Sequence, residues 1–189
     1  IAAYFHDKWP DHVIRVFALV GYSVPVFWLG LVGLFVFYFK LDWVSGPGQL
    51  DIFYEGVAPR HTGSVLIDSA FSGEWEVFLN ALSHMILPAI LLGYYSLAYI
   101  GRMTRSFMLD QLNREYVLTA RLKGATEFEV VVRHALRNAA IPLITIVALS
   151  YGSLLEGSVL VETIFSWPGI GNYLASSLFR ADMNAVLGG

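Results

Sequence analysis

Two stretches of this chain run without a formal charge for longer than most soluble helices last. Residues 16–39 form 24 positions with no Asp, Glu, Lys or Arg, and residues 77–101 form 25. A bilayer core takes about 20 helical residues to cross, and inside it each backbone amide must find its partner within the protein. Both runs therefore predict membrane-spanning helices. Residues 138–155 supply 18 more uncharged positions, and Gly157 to Val161 extend them past Glu156. Spans are expected at about 16–39, 77–101 and 138–161. Pro25 should kink the first or free a carbonyl in it, and Pro88 lies inside the second. With 56% hydrophobic residues, 14% charged and a mean hydropathy of +0.59, the composition is that of an all-α integral membrane protein.

The charges are segregated, and that sets the orientation. Residues 40–76 hold two basic and six acidic side chains, a balance of −4, whereas 102–137 hold seven basic and four acidic, a balance of +3. Lys and Arg excess marks the cytoplasmic side. The 102–137 segment is thus expected inside, with 40–76 and 162–189 outside. Residues 1–15 are polar and aromatic, and an ordinary interhelical loop is expected there. The first residue is Ile1 and no signal-peptide pattern precedes the first span, so the expectation is the middle of a longer protein.

Within the basic segment, local chemistry predicts helix, break, helix. Thr119 to Lys123 are mostly good helix formers, and Gly124 stands where a helix ends on a left-handed residue. Thr126 followed by Glu129 is a capping-box pattern opening a second helix. Such a bent pair makes a rigid knob at the membrane surface; the alternative is a solvated loop. The run Tyr116-Val117-x-Thr119-Ala120-Arg121-x-Lys123-Gly124-Ala125, followed by Val131-x-Arg133-His134-Ala135-Leu136-Arg137-Asn138-Ala139-x-x-Pro142, decides between them. It resembles the cytoplasmic coupling loop of binding-protein-dependent ABC importer permeases, and more narrowly their dipeptide/oligopeptide/nickel branch. Leu118-Thr119-Ala120 replaces the generic Glu-Ala-Ala, while the Arg-His-x-Leu-Arg-Asn form is that branch's own. A second block, Val161-Glu162-Thr163-Ile164-Phe165-Ser166-Trp167-Pro168-Gly169-Ile170-Gly171, resembles the same family.

The resemblance implies an ABC importer transmembrane domain with three spans visible of a larger bundle, in a bacterial inner membrane. It implies a second permease subunit, two cytoplasmic ATPase subunits that bind ATP and Mg, and an external solute-binding protein. Di- or oligopeptides are the expected cargo; nickel or another small solute is the alternative within the family. Thr119, Ala120, Arg121, Lys123, Gly124, Ala125, Glu127, Arg133, His134 and Arg137 would couple the chain to the ATPase. Glu162, Trp167, Pro168, Gly169 and Gly171 would form the outer gate or the binding-protein contact, or else an interface turn. There, the residue before a proline is pushed from helical geometry and the glycines are expected to let the backbone turn sharply.

Other residues carry less. Glu156 is an ionisable group inside a span, either part of the pathway or hydrated near the outer interface. Ser150 could line that pathway or allow close helix packing. His84 reads as a hydrogen-bonded packing histidine with no second ligand at helical spacing. Tyr94, Tyr95 and Tyr99 share a face suited to packing, and Arg102 and Arg105 to anchoring the inner end of the span. No metal site, no nucleic-acid partner and no enzymatic role are expected. The chain has no cysteine, HExxH or GxxxxGK[ST]. ATP hydrolysis would have to come from partners. An ATPase-independent secondary transporter is the competing class, which broken helices with ionisable groups at mid-membrane would favour.

Overall fold

A computed structural model describes residues 8–57 and 61–188, so the Ala58-Pro59-Arg60 stretch, which reads as a turn in the sequence, lies outside the described residues. Among those described, all regular structure is helical. The elements are α1 (Trp9–Ser23), α2 (Val26–Lys40), α3 (Ile52–Glu55), α4 (Val65–Ser72), α5 (Trp75–Leu112), α6 (Glu115–Leu122), α7 (Glu127–Ile164), α8 (Ile170–Phe179) and α9 (Met183–Gly188). α5 and α7 are each long and apolar enough to cross a membrane by themselves. Pro88 and Pro142 lie inside these helices without ending them.

The first apolar run is not one helix. The chain leaves helical geometry at Val24 (φ −89°, ψ 129°) and Pro25 (φ −58°, ψ 135°), and α2 begins at Val26. The cause is local: a proline disfavours helical geometry in the residue before it and offers no N–H to the preceding turn. Only if the bent pair α1 and α2 is taken as one span do the candidates reach three. A further departure concerns residues 9–15, expected in a loop, which form the first turns of α1 with Pro10 in its N-terminal turn.

Contacts divide the chain into two compact units, residues 1–24 with 94–154 and residues 25–93 with 155–189. In the first, Met108 from α5 packs on Ala135 and Ala139 of α7, with Phe107, Leu112 and Val131 around them. The fully buried Asp11 of α1 receives two 2.6 Å hydrogen bonds from the Arg105 guanidinium of α5. In the second, Leu87 and Leu91 of α5 pack on Val161 and Phe165, and a separate cluster forms around Leu50, Val77 and Ala81. Within the described residues, 11% of α7's most apolar window is buried.

Both α2 and α7 contain a seven-residue π-helical stretch, Leu34–Lys40 and Val130–Leu136. Such stretches are uncommon, widen the helix by one residue per turn and often occur beside functional sites. The second one lies within the basic segment.

Candidate coupling element and outer break

The helix-break-helix pattern is built by two interlocking end motifs. At the end of α6, the Gly124 N–H donates to the Arg121 carbonyl at 3.0 Å and the Ala125 N–H to the Ala120 carbonyl at 3.1 Å. This is a Schellman closure, and it needs the left-handed residue that Gly124 supplies at φ +85°. Immediately after it, Thr126 accepts from the Glu129 N–H while the Glu129 carboxylate accepts from the Thr126 N–H at 2.9 Å, a complete capping box. The Arg121 guanidinium spans the bend and donates twice to Glu127, at 2.8 and 3.1 Å. Hydrogen bonds from the backbone N–H and the hydroxyl of Thr126 hold the Glu129 carboxyl below the usual carboxylate range, and Arg133 and His134 add to this.

The second helix of the pair is not a separate short segment. It is the start of α7 and runs without interruption to Ile164. Val117 of α6 and Val130 and Ala135 of α7 are fully buried, which fixes the knob by packing as well as by caps.

Between α6 and the π-helical stretch lies a groove of about 640 Å³. Of the predicted coupling residues, Thr119, Ala120, Lys123, Gly124, Ala125, Arg133 and His134 border it, joined by Tyr116 and Glu129. Arg121 and Glu127 are elsewhere, occupied with each other across the bend. Arg137 is exposed on α7 and does not border the groove. Sequence reasoning passed over three apolar side chains here: Leu118, Leu122 and Phe128 are 59, 81 and 74% exposed. Their signal was present, since three large hydrophobics stand out in an otherwise charged segment.

At the outer break, α7 ends in a second Schellman closure. The Trp167 N–H donates to the Glu162 carbonyl at 2.8 Å and the Ser166 N–H to Thr163 at 3.3 Å. The left-handed residue is Ser166, at φ +49°, and not either glycine. Gly169 is extended, at φ −124° and ψ 177°. Its role and that of Gly171 is room. A Cβ on Gly169 would sit 2.3 Å from a Glu162 carboxylate oxygen, and one on Gly171 only 2.6 Å from the Val159 Cα. The expectation of a glycine-driven sharp turn is thus replaced by close packing. Glu162 folds inward and accepts from the Asn172 N–H at 3.0 Å, capping α8 in place of the side chain its N-cap glycine lacks. Asn172 in turn donates to the Trp167 carbonyl. Trp167 is half-buried and Pro168 exposed.

Ser150 is buried, donates to the Ile146 carbonyl and borders a small cavity between α1, α5 and α7. Glu156 is exposed on α7. His84 is buried, with Nδ1 2.9 Å from the Asn80 carbonyl and Nε2 3.5 Å from Asp51. Among the described residues, no group of three or more His, Cys, Asp and Glu side chains is placed to hold a metal ion.

The whole chain, residues 1–189, matches the family described as "Binding-protein-dependent transport system inner membrane component". The chain belongs to this family. Within this permease family it is 48% identical over 189 residues to the Di/tripeptide transport system permease protein DppB of Pseudomonas aeruginosa, covering 100% of this chain and 56% of that protein. It is 48% identical over 181 residues to the Dipeptide transport system permease protein DppB of Escherichia coli, covering 95% and 53%. The Probable D,D-dipeptide transport system permease protein DdpB of Escherichia coli is 43% identical over 189 residues, covering 100% and 55%. The chain spans about half the length of these relatives. Family and helices together make it a multi-pass, all-α inner membrane component of the transport class.

Proposed function

We propose that this chain is part of the permease subunit of an ATP-driven peptide importer, and that the groove-bearing bend between α6 and α7 is where ATPase motion enters it. The observation that carries this reading is the bend itself. Two complementary end motifs and a bidentate ion pair lock a surface knob that still exposes Leu118, Leu122 and Phe128. A knob with fixed geometry and unburied apolar side chains suits a protein partner, and its continuity with α7 gives that partner a handle on a spanning helix. For the contact to do work, the partner must hold the knob more tightly in one orientation than in the other, because equal affinity for both shifts nothing.

Two ATPase subunits carrying ATP and Mg, a second permease subunit and an external binding protein complete the machine in this reading. Cargo is read as di- or oligopeptides because relatives 43–48% identical bear names of dipeptide transport. The outer break at 162–171, pinned by Glu162 and Asn172, is read as the structured rim facing the binding protein. The test is reconstitution of the full complex in proteoliposomes with its binding protein. ATP-dependent uptake of labelled dialanine that is abolished by deleting residues 118–128 supports the reading. Uptake that survives this deletion, or that needs no ATP, overturns it.

A further inference from the structure

Three arginines meet at one level of the first compact unit. Arg15 of α1 and Arg102 and Arg105 of α5 border a recess of about 380 Å³, whose apolar walls include Ile14, Leu19 and Leu109. The sequence sets that level. Arg15 is the last charge before the uncharged run 16–39, and Arg102 is the first after the uncharged run 77–101. The two helices are tied together here, by Arg105 to Asp11 and by the Tyr94 hydroxyl to the Phe17 carbonyl at 2.8 Å. They therefore pass from apolar to charged composition side by side, at the depth where a bilayer passes from acyl chains to headgroups.

The charges of the recess are not balanced within the unit. Arg105 donates to the buried Asp11, so its charge is answered. Arg15 and Arg102 are exposed, and neither forms an ion pair with a described residue. No carboxylate lines the recess. The Arg102 guanidinium lies 4.2 Å from the Tyr22 ring centroid, a stacking that holds its plane and leaves the N–H donors at its edge. An arginine that only anchors a span reaches for any nearby headgroup or water and needs no cleft beneath it. Here the cations stand over an apolar cleft. An anionic headgroup would answer both charges through its phosphate oxygens, while its acyl chain followed Ile14, Leu19 and Leu109. A free anion would leave those walls bare, and a zwitterionic lipid would bring an ammonium among arginines.

We infer that this recess is a binding site for an anionic phospholipid, which splints α1 against α5. Basic pockets between spanning helices suit such headgroups, because the charge of the lipid is met where water is scarce. α5 continues for only about two turns beyond Arg105 before the chain enters α6, so the lipid sits at the base of the coupling element. The inference rests on the membrane reading of the chain and not on the peptide cargo.

The test uses the complete complex in dodecyl maltoside micelles and phosphatidylglycerol carrying a diazirine on its acyl chain. On irradiation the label should map to residues 14–19 and 101–109. Unlabelled phosphatidylglycerol should displace it, whereas phosphatidylcholine and inorganic phosphate should not. In the double variant Arg15→Gln with Arg102→Gln, the phosphatidylglycerol needed for half displacement should rise about 30-fold, about fivefold for each arginine. Arg15→Lys with Arg102→Lys should keep most of the affinity, since the charges stay. Arg105 is left in place because its loss would strand the buried Asp11. Displacement by phosphatidylcholine marks an unselective acyl contact, and displacement by phosphate marks a free-anion site. Absence of label from both segments marks a recess filled by another protein segment. Each of these outcomes overturns the inference, as does unchanged displacement in the double glutamine variant. None of them touches the peptide reading, which stands or falls on dialanine uptake. If the glutamine variant does not assemble, headgroup selectivity in the unmodified complex still decides.

Discussion

Replacing Gly124 separates backbone geometry from every other influence on the coupling element. Its φ of +85° lies in the left-handed region, and a Cβ built there meets nothing within 4 Å. A substitution therefore adds no clash, and its whole effect is conformational. For an ordinary L-residue the left-handed region costs about 1–2 kcal/mol, with a β-branched side chain at the upper end and Asn near the lower. At about 1.4 kcal/mol per factor of ten, Gly124→Val should raise the population with an opened α6 terminus about tenfold, and Gly124→Asn by a few-fold at most. Arg121 and Lys123 flank the closure and are exposed, so trypsin reads it directly. When reclosing outruns cleavage, the cutting rate follows the open population. The refuting results are a Val variant cut at the unmodified rate, or an Asn variant cut as fast as Val.

Four further outcomes are expected. Asp11→Asn leaves the Arg105 guanidinium facing a neutral buried partner and should lower stability by about 3–5 kcal/mol, whereas Asp11→Leu with Arg105→Met should recover most of it; the thermal aggregation midpoint of the detergent-purified complex measures both. Gly171→Ala should disturb the outer break more than Gly169→Ala, because the first meets the Val159 backbone and the second only a movable carboxylate; proteolysis after Arg180 ranks them. Because Glu129 titrates below its unfolded value, the cap it provides is complete above that value, about 4.3 for a free Glu, and is lost as pH falls through the lower folded one; amide exchange at 126–130 should accelerate only in that acid range, and Glu129→Gln should flatten the profile. In spheroplasts, a reagent that cannot cross the membrane should label Phe71→Cys and spare Asn113→Cys; the reverse pattern would invert the topology behind the coupling proposal.

What the sequence made legible was whatever is decided within a few residues. The Thr126–Glu129 capping box and the left-handed Gly124 are local chemistry, and both stand in the structure as written in the sequence. The apolar stretches of α5 and α7 are legible for the same reason, since composition over about 20 residues is a local property. The Asp11–Arg105 pair was out of reach because its members are 94 positions apart, Arg105 reading as an anchor at the end of its span and Asp11 as a loop charge. Ser166 was missed because left-handed helix ends are announced by glycine, and here a serine takes that conformation while the nearby glycines make space instead. The groove between α6 and α7 depends on how a π-helical stretch turns His134 and Arg133, a geometry that no spacing rule at 3.6 residues per turn anticipates.

The apolar length of α7 bears on how the protein is made. A helix long and apolar enough to cross a bilayer satisfies its own backbone hydrogen bonds there, so insertion can precede every tertiary contact it will make. The Met108–Ala135–Ala139 seam can then close among helices already in place. Lesions at that seam would leave normally inserted but unassembled chains. A cell would meet them not as failures of targeting but as orphans inside the membrane, to be cleared by proteases that survey it.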